Sequence, residues 1–369
     1  MRIVFVALLS LIVLLIRIPD AVNEPRFWAE DGVLFFPQWR AEGIFSLWQP
    51  YAGYLLLAPR MVAGVAAVFP LEWTAFVFLT MTIIVTIWVS ITIARSIDGV
   101  VGMVASIAPL IAYGSNETLG SPTNLQWLLA VGLAVVAGEK FSNHWKNRAA
   151  FVVVAGLTGP FIVFAFPAFA VRAFLAYRSN RRRELSLALL AMGTGCVQAS
   201  VMVATSVRET VETSNLLPLI ADIFRYVLGR PDWIFVGFTG VIFLVGFLAG
   251  SGRWQRLAMA SVSAAIILST AAKFSGQMEA LAGGANGQRY WSIPSATAII
   301  IFLTMIRERS IVLRCLGCAG CLVLLLNASF GELRRHESAA LESWPEAVER
   351  SREGPTTYRF PPGWSVTLP

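Results

Sequence analysis

The sequence predicts an all-α protein, a polytopic transmembrane bundle of about eleven spans, and three observations predict it. Hydrophobic residues make up 56% of the 369 residues and charged residues only 14%, where a water-soluble chain carries roughly 25% charged. The apolar residues fall in runs of about 15 to 24, each able to cross a ~30 Å hydrocarbon core with its backbone hydrogen bonds closed internally. Basic residues cluster in the short breaks on one side of these runs, the pattern that orients membrane helices. A cytoplasmic enzyme, a secreted domain and a fibrous chain are excluded. The net charge of +7 lacks any basic domain apart from the spans, so it implies membrane topology and no nucleic-acid partner.

The first run, Met1 to Ile18, ends at Arg17 and Pro19 without a small-residue cleavage site and reads as a retained helix. Further spans are expected at Leu71–Ala94, Val100–Tyr113, Asn124–Gly138, Ala149–Gly159, Phe161–Tyr177, Leu185–Ser206, Trp233–Gly250, Gln255–Ala272, Trp291–Ile306 and Ile311–Ala328. The clusters at Lys140/Lys146/Arg148, Arg178/Arg181/Arg182/Arg183, Arg253/Arg256 and Arg307/Arg309/Arg314 mark one face as cytoplasmic. Keeping both Arg148 and Arg183 on that face requires two short helices hinged at Gly159-Pro160, where proline removes a backbone donor. The amino terminus is then cytoplasmic and the carboxyl terminus extracytoplasmic, in a membrane expected to be the bacterial inner (plasma) membrane. Tyr54 to Phe69 would invert every later loop if it crossed, so it is expected to lie in the outer interface, interrupted by Pro59 and Arg60. Residues 1–328 form the expected membrane domain and 329–369 an outer tail.

Nearly all long polar loops fall on the outer side, which is where a site is expected. The first, 19–70, contains Trp28-Ala29-Glu30-Asp31-Gly32, with Trp28, Phe35, Phe36 and Trp39 at helical spacing. On a helix Glu30 and Asp31 diverge by about 100°, so one carboxylate faces the site and the other is placed to pair with Arg26. Carboxylates held between interfacial aromatics lose water, which raises the pKa of a general base. The bland alternative is a solvated acidic turn. Asn116, Glu117 and Asn124 mark the second loop, and Lys273, Arg289 and Tyr290 the fourth. Arg289 sits between Gly287-Gln288 and Tyr290-Trp291, a bidentate donor beside interfacial aromatics that suits a lipid phosphate or pyrophosphate. Lys273 is equally well read as a snorkelling cation.

Only two histidines exist, His144 and His336, with neither triad nor zinc-ligand spacing. Cys315, Cys318 and Cys321 repeat every third residue inside an apolar run and are read as helix-packing residues; with Cys196 alone in another run, no disulfide framework is expected.

These residues resemble the GT-C superfamily of membrane glycosyltransferases that use polyprenyl-phosphate-linked sugars. The resemblance rests on Trp28–Gly32 after a first helix, Gln49-Pro50-Tyr51-Ala52-Gly53-Tyr54 leading into an interfacial segment, Gly156–Pro160 with Pro167, Arg289-Tyr290-Trp291 with Pro294, and Pro361-Pro362-Gly363-Trp364. The second acidic position of that pattern is represented only by Glu117. The resemblance implies transfer of a sugar from a polyprenyl-phosphate donor to a glycan, lipid or protein acceptor hydroxyl, with inversion, on the extracytoplasmic face. It implies Asp31 or Glu30 as the base, and Arg289, Tyr290, Arg60 and Lys273 around the leaving phosphate. No cofactor is required, although Asp31 and Glu117 are the candidate ligands for a divalent cation such as Mg or Mn. A lipid-linked sugar transporter or flippase, and a non-catalytic subunit of a glycan assembly system, are the alternatives.

Overall fold

The computed structural model describes residues 1–139, 145–205, 244, 250, 252–274, 287, 289–327, 343–360 and 363–368. The expected span Trp233–Gly250, except Leu244 and Gly250, lies outside them, as do the loop Val207–Asp232, most of the segment after Lys273, and both histidines. The described chain is a largely helical bundle. Its long elements are α1 (Arg2–Arg17), α5 (Thr74–Ser96), α8 (Leu125–Gly138), α9 (Trp145–Gly156), α10 (Phe161–Arg178), α11 (Arg182–Thr205), α12 (Arg253–Lys273), α13 (Arg289–Met305) and α14 (Ile311–Asn327). Shorter pieces are α2 (Pro19–Asn23), α3 (Phe36–Glu42), α4 (Leu57–Ala66), α6 (Gly99–Ala105) and α7 (Ala108–Ile111).

The expectation of about eleven spans is corrected. Among the described residues four helices are long and apolar enough to cross a membrane: Leu71–Ser96, Phe161–Arg178, Arg182–Thr205 and Arg253–Lys273. Several of the other described apolar runs fall short for two physical reasons. Helices of 16, 14 and 12 residues, as in α1, α8 and α9, rise only about 24, 21 and 18 Å, less than the ~30 Å core. Moreover α8 is buried along its entire length, and α13 from Trp291 to Met305, inside the protein itself. Their apolar composition reflects a protein core, which a hydropathy run cannot tell from lipid.

The helix ends gather at two poles. At the first, Arg2 at the start of α1 donates to the carbonyls of Ala94 and, at 2.6 Å, Ile97 at the end of α5. Beside it Arg148 meets Glu139 and Glu184, each at 3.0 Å, and Arg172 meets Glu184 at 2.7 Å. This buried quartet ties α8, α9, α10 and α11 together. Arg178, Arg181, Arg182, Arg183, Arg253, Arg307, Arg309 and Arg314 are exposed around it, so we call this the basic end. At the other pole Arg17 donates to Ser115 Oγ at 3.0 Å and to Asn116, joining the end of α1 to the second loop. This is the loop end.

The segment expected as one interfacial helix, Tyr54 to Phe69, is instead a tight hairpin followed by α4. β1 (Pro50–Tyr51) and β2 (Tyr54–Leu55) pair antiparallel across Ala52-Gly53, both at positive φ, which matches the twist of a two-residue turn. Pro59 and Arg60 do not interrupt α4: proline lies in its first turn, where no intrahelical bond is lost. The carboxyl-terminal part adds α15 (Trp344–Ser351), capped reciprocally by Ser343 and Glu346, and the hairpin β3 (Thr356–Phe360) with β4 (Trp364–Leu368). It packs on the first loop. The buried Trp344 ring lies 4.7 Å from Phe27, and its Nε1–H donates to the Leu71 carbonyl at 2.7 Å. Cys321 is buried in α14, whereas Cys315 and Cys318 are exposed rather than packed against a neighbour.

Candidate functional site

The loop end is assembled from five segments of the chain. After α2 the chain runs extended to Ala29, a buried alanine at φ +43 that turns it sharply, with Asp31 N–H donating to the Trp28 carbonyl at 2.9 Å. A π-helical turn, Asp31–Phe35, leads directly into α3. Trp28 therefore precedes the helix and shares no helical face with Phe35, Phe36 and Trp39, contrary to the spacing argument. Arg26 pairs with Glu24 at 2.6 Å, not with Glu30.

The adjacent carboxylates diverge as expected and meet very different surroundings. Asp31 is 1% exposed. Its Oδ1 accepts from Thr123 N–H at 3.0 Å and Thr123 Oγ1 at 2.6 Å, and its Oδ2 accepts from Ser121 Oγ at 3.0 Å. Burial pushes its pKa up to about 7 despite these bonds, which act in the opposite direction. Both oxygens are engaged in latching the first loop to the second. Glu30 is half-buried and accepts the Tyr51 hydroxyl at 3.0 Å.

The hairpin places Tyr51 and Tyr54 opposite each other on one face. It is held from below by α11 and by the Gly-Pro break between α9 and α10. Gln198 Oε1 accepts Leu55 N–H and its Nε2 donates to the Leu55 carbonyl, both at 3.0 Å. Gly159 N–H donates to the same carbonyl at 2.8 Å, Leu57 N–H to the Leu157 carbonyl at 3.0 Å, and Ala58 N–H to Thr158 Oγ1 at 3.0 Å. The backbone groups of Leu157 and Gly159, freed where the helix breaks before Pro160, are thus used with the Thr158 hydroxyl to seat the first loop.

α13 brings Arg289 and Tyr290. Glu117 Oε2 accepts Arg289 N–H at 3.3 Å, an acid at a helix N-terminus, and Asn124 Nδ2 fixes the Glu117 carbonyl at 2.7 Å. The Tyr290 ring packs edge-on to Trp127 at 5.0 Å and to Phe274 at 4.9 Å. The Arg289 guanidinium stands 5.6 Å above Tyr290, and its charge reaches the hydroxyls of Tyr51 and Tyr54. Desolvation nevertheless dominates both phenols, raising Tyr51 well above its ordinary value and Tyr54 to about 12, so each keeps its proton. Among the described residues no carboxylate lies within ion-pair distance of the Arg289 guanidinium.

Arg60 lies apart from this cluster, on the far side of Phe35. Fully buried, it donates to Gln38 Oε1 at 2.6 Å and stacks 5.2 Å over Phe35, which in turn meets Tyr51. Burial pulls its pKa down to about 10. Lys273 is exposed at the end of α12, 5.7 Å from the Phe274 ring. Asn116 is held by Arg17. The structure therefore joins Glu30, Arg289, Tyr290 and Glu117 near one surface, and leaves Asp31, Asn116 and Asn124 as the fasteners that hold the loops together. Among the described residues no group of three or more His, Cys, Asp or Glu side chains is arranged to hold a metal ion.

No protein-family model, curated protein or solved structure matches this chain. The glycosyltransferase expectation is accordingly corrected. Among the described residues the many-span architecture it requires is not present: four candidate spans stand where about eleven were expected along the whole chain. No family or curated match carries a sugar-transfer activity to the chain.

Sequence reasoning passed over Tyr51, Tyr54, Ser121, Thr123 and Gln198 as functional side chains. Two signals were available: Ala-Gly between two tyrosines is a hairpin turn, and a glutamine in the middle of an apolar 24-residue helix needs a polar partner.

Proposed function

We propose that this is an integral membrane protein that binds, without chemically transforming, a phosphate-bearing membrane lipid at its loop end. The observation that carries the reading is the Arg289 guanidinium, which stands 5.6 Å over the Tyr290 ring, close enough for its charge to act on the Tyr51 and Tyr54 hydroxyls, with no carboxylate paired to it among the described residues. A planar guanidinium matches phosphate oxygens two at a time, and the protonated Tyr54 phenol adds a donor to the same anion, the Tyr51 O–H being held by Glu30. Glu30 holds the Tyr51 hydroxyl and presents its carboxylate to a hydroxyl or ammonium next to that phosphate. The ligand class is thus a lipid phosphate whose headgroup also carries donors, to which polyprenyl-phosphate sugars belong. Exposed Phe45, Trp48, Phe69 and Trp73 ring the loop end, the aromatic composition of a headgroup boundary. In this reading the basic end and the amino terminus face the cytoplasm and the loop end the opposite side, which the exposed arginines of the basic end support.

The test is equilibrium binding of a prenyl phosphate to the full-length protein in detergent, followed by tryptophan fluorescence. Loss of charged hydrogen bonds in Arg289→Ala weakens binding about 10- to 100-fold. Arg289→Lys, which keeps the charge without the fork, falls between. Unchanged affinity in a normally folded Arg289→Ala protein would refute the assignment.

A further inference from the structure

A second polar site stands at the opposite pole. Where the end of α5 meets the start of α12 and the end of α13, a cavity of about 100 Å³ is lined by Ser96, Asp98, Gln255, Arg256, Arg307 and Glu308, among others. Its floor is the buried pair Arg256–Glu308 at 2.9 Å, and Glu308 also accepts Gly252 N–H at 3.0 Å. The wall beside that pair is glycine by necessity. A Cβ at Gly250, which has φ +89, would lie 2.5 Å from Glu308 Cδ, and one at Gly252 would lie 2.9 Å from Arg256 Nη1.

The floor is charge-balanced, so the mouth determines what can enter. Asp98 and Arg307 are exposed there and neither forms an ion pair among the described residues. One exposed acid and one exposed base lining a cavity whose buried pair is neutral complement a dipolar ion better than a simple anion or cation. The space accommodates several waters, or a polar group of that size. The surroundings point to a lipid rather than a free solute. Exposed apolar side chains stand close in the chain to these lining residues: Val100 after Asp98, Leu257 after Arg256, and Ile311 with Val312 after Arg307 and Glu308. Two of the converging helix ends, Ser96 and Arg253, are ends of candidate membrane spans, which sets the cavity at headgroup depth.

We propose that this cavity holds the headgroup of a zwitterionic phospholipid, with the phosphate on Arg307 and the ammonium on Asp98. It is independent of the lipid-phosphate reading at Arg289. The test is native mass spectrometry of the full-length Arg289→Ala protein, which isolates this site, with phosphatidylethanolamine, phosphatidylglycerol and soluble phosphoethanolamine added in turn. Phosphatidylethanolamine is retained about tenfold more tightly than phosphatidylglycerol, a preference that Asp98→Asn abolishes. Arg307→Ala weakens both lipids. Both substitutions are at exposed positions, and an unchanged melting temperature shows that the fold is intact. Equal retention of the two lipids, or retention unchanged in Asp98→Asn/Arg307→Ala, would overturn the proposal. Displacement by equimolar phosphoethanolamine would overturn the lipid as occupant.

Discussion

Replacing Asp31 separates a structural latch from a catalytic base. Moving its pKa from 3.8 to about 7 means that holding the ionised form in the folded protein costs on the order of 4 kcal/mol, at ~1.4 kcal/mol per unit. Because the folded pKa is raised, the native state binds the proton more tightly than the unfolded chain does. Stability from this group is complete below about pH 4 and declines as pH rises through 7. Asp31→Asn keeps an acceptor for Thr123 and cannot ionise, so it removes that decline. Asp31→Ala instead strands the Thr123 N–H in a site 1% exposed, and takes the partner from two hydroxyls, a loss of about 2–4 kcal/mol at low pH. Thermal unfolding of the three proteins in detergent, followed by tryptophan fluorescence at pH 4.5 and pH 8, reads both effects. The Asn variant exceeds the wild type only slightly at pH 4.5, where about 1 kcal/mol of the Asp31 contribution is already lost, and by at least about 3 °C at pH 8, while the Ala variant is the least stable at pH 4.5. A difference between Asn and Asp that does not change with pH, or an Asn variant as unstable as Ala, would refute the reasoning.

Two further perturbations follow from the same contacts. In α8, a Cβ at Gly138 would fall 2.7 Å from the Gln255 carbonyl oxygen, backbone that cannot step aside, whereas Gly193 in α11 has nothing within 4 Å. Gly138→Ala should lower stability by about 1–3 kcal/mol and Gly193→Ala should raise it by up to about 1 kcal/mol, both measured by thermal unfolding. Gln198→Leu leaves the Leu55 N–H without its partner and removes one of two donors from its carbonyl, so the hairpin loosens. Prenyl-phosphate affinity should fall about tenfold while the helical circular dichroism stays unchanged.

The helical character of the chain was legible in its apolar runs, but the number of membrane crossings was not. Hydropathy registers how apolar a segment is, and α8 and α13 are apolar because other helices surround them. The acidic pair was visible in Glu30-Asp31, and so was its divergence. Its division of labour was not, because the donors that claim Asp31 come from Ser121 and Thr123, 90 and 92 residues away, and no local pattern announces a contact of that range. Arg289 was conspicuous for its aromatic and glycine neighbours. Its neighbours Tyr51 and Tyr54 sit in a hairpin of which Tyr54 was read as the start of an interfacial helix and Tyr51 as the approach to it, and what seats that hairpin is Gln198 together with backbone groups released at Gly159-Pro160. The docking of Trp344 and Phe360 on the first loop depends on tertiary packing between the two ends of the chain, which composition does not record.

The central claim is that a phosphate-bearing lipid rests between Arg289 and the hairpin tyrosines. Its most direct measurement is photo-crosslinking in native membranes, with a benzophenone amino acid placed at Tyr54 or, as a control on the exposed face of α5, at Ile84. A lipid adduct is expected at position 54, with phosphate in its fragment spectrum, that disappears in the Arg289→Ala background, while adducts at position 84 are unaffected. Adducts at position 54 that lack phosphate, or that persist undiminished without Arg289, would contradict it.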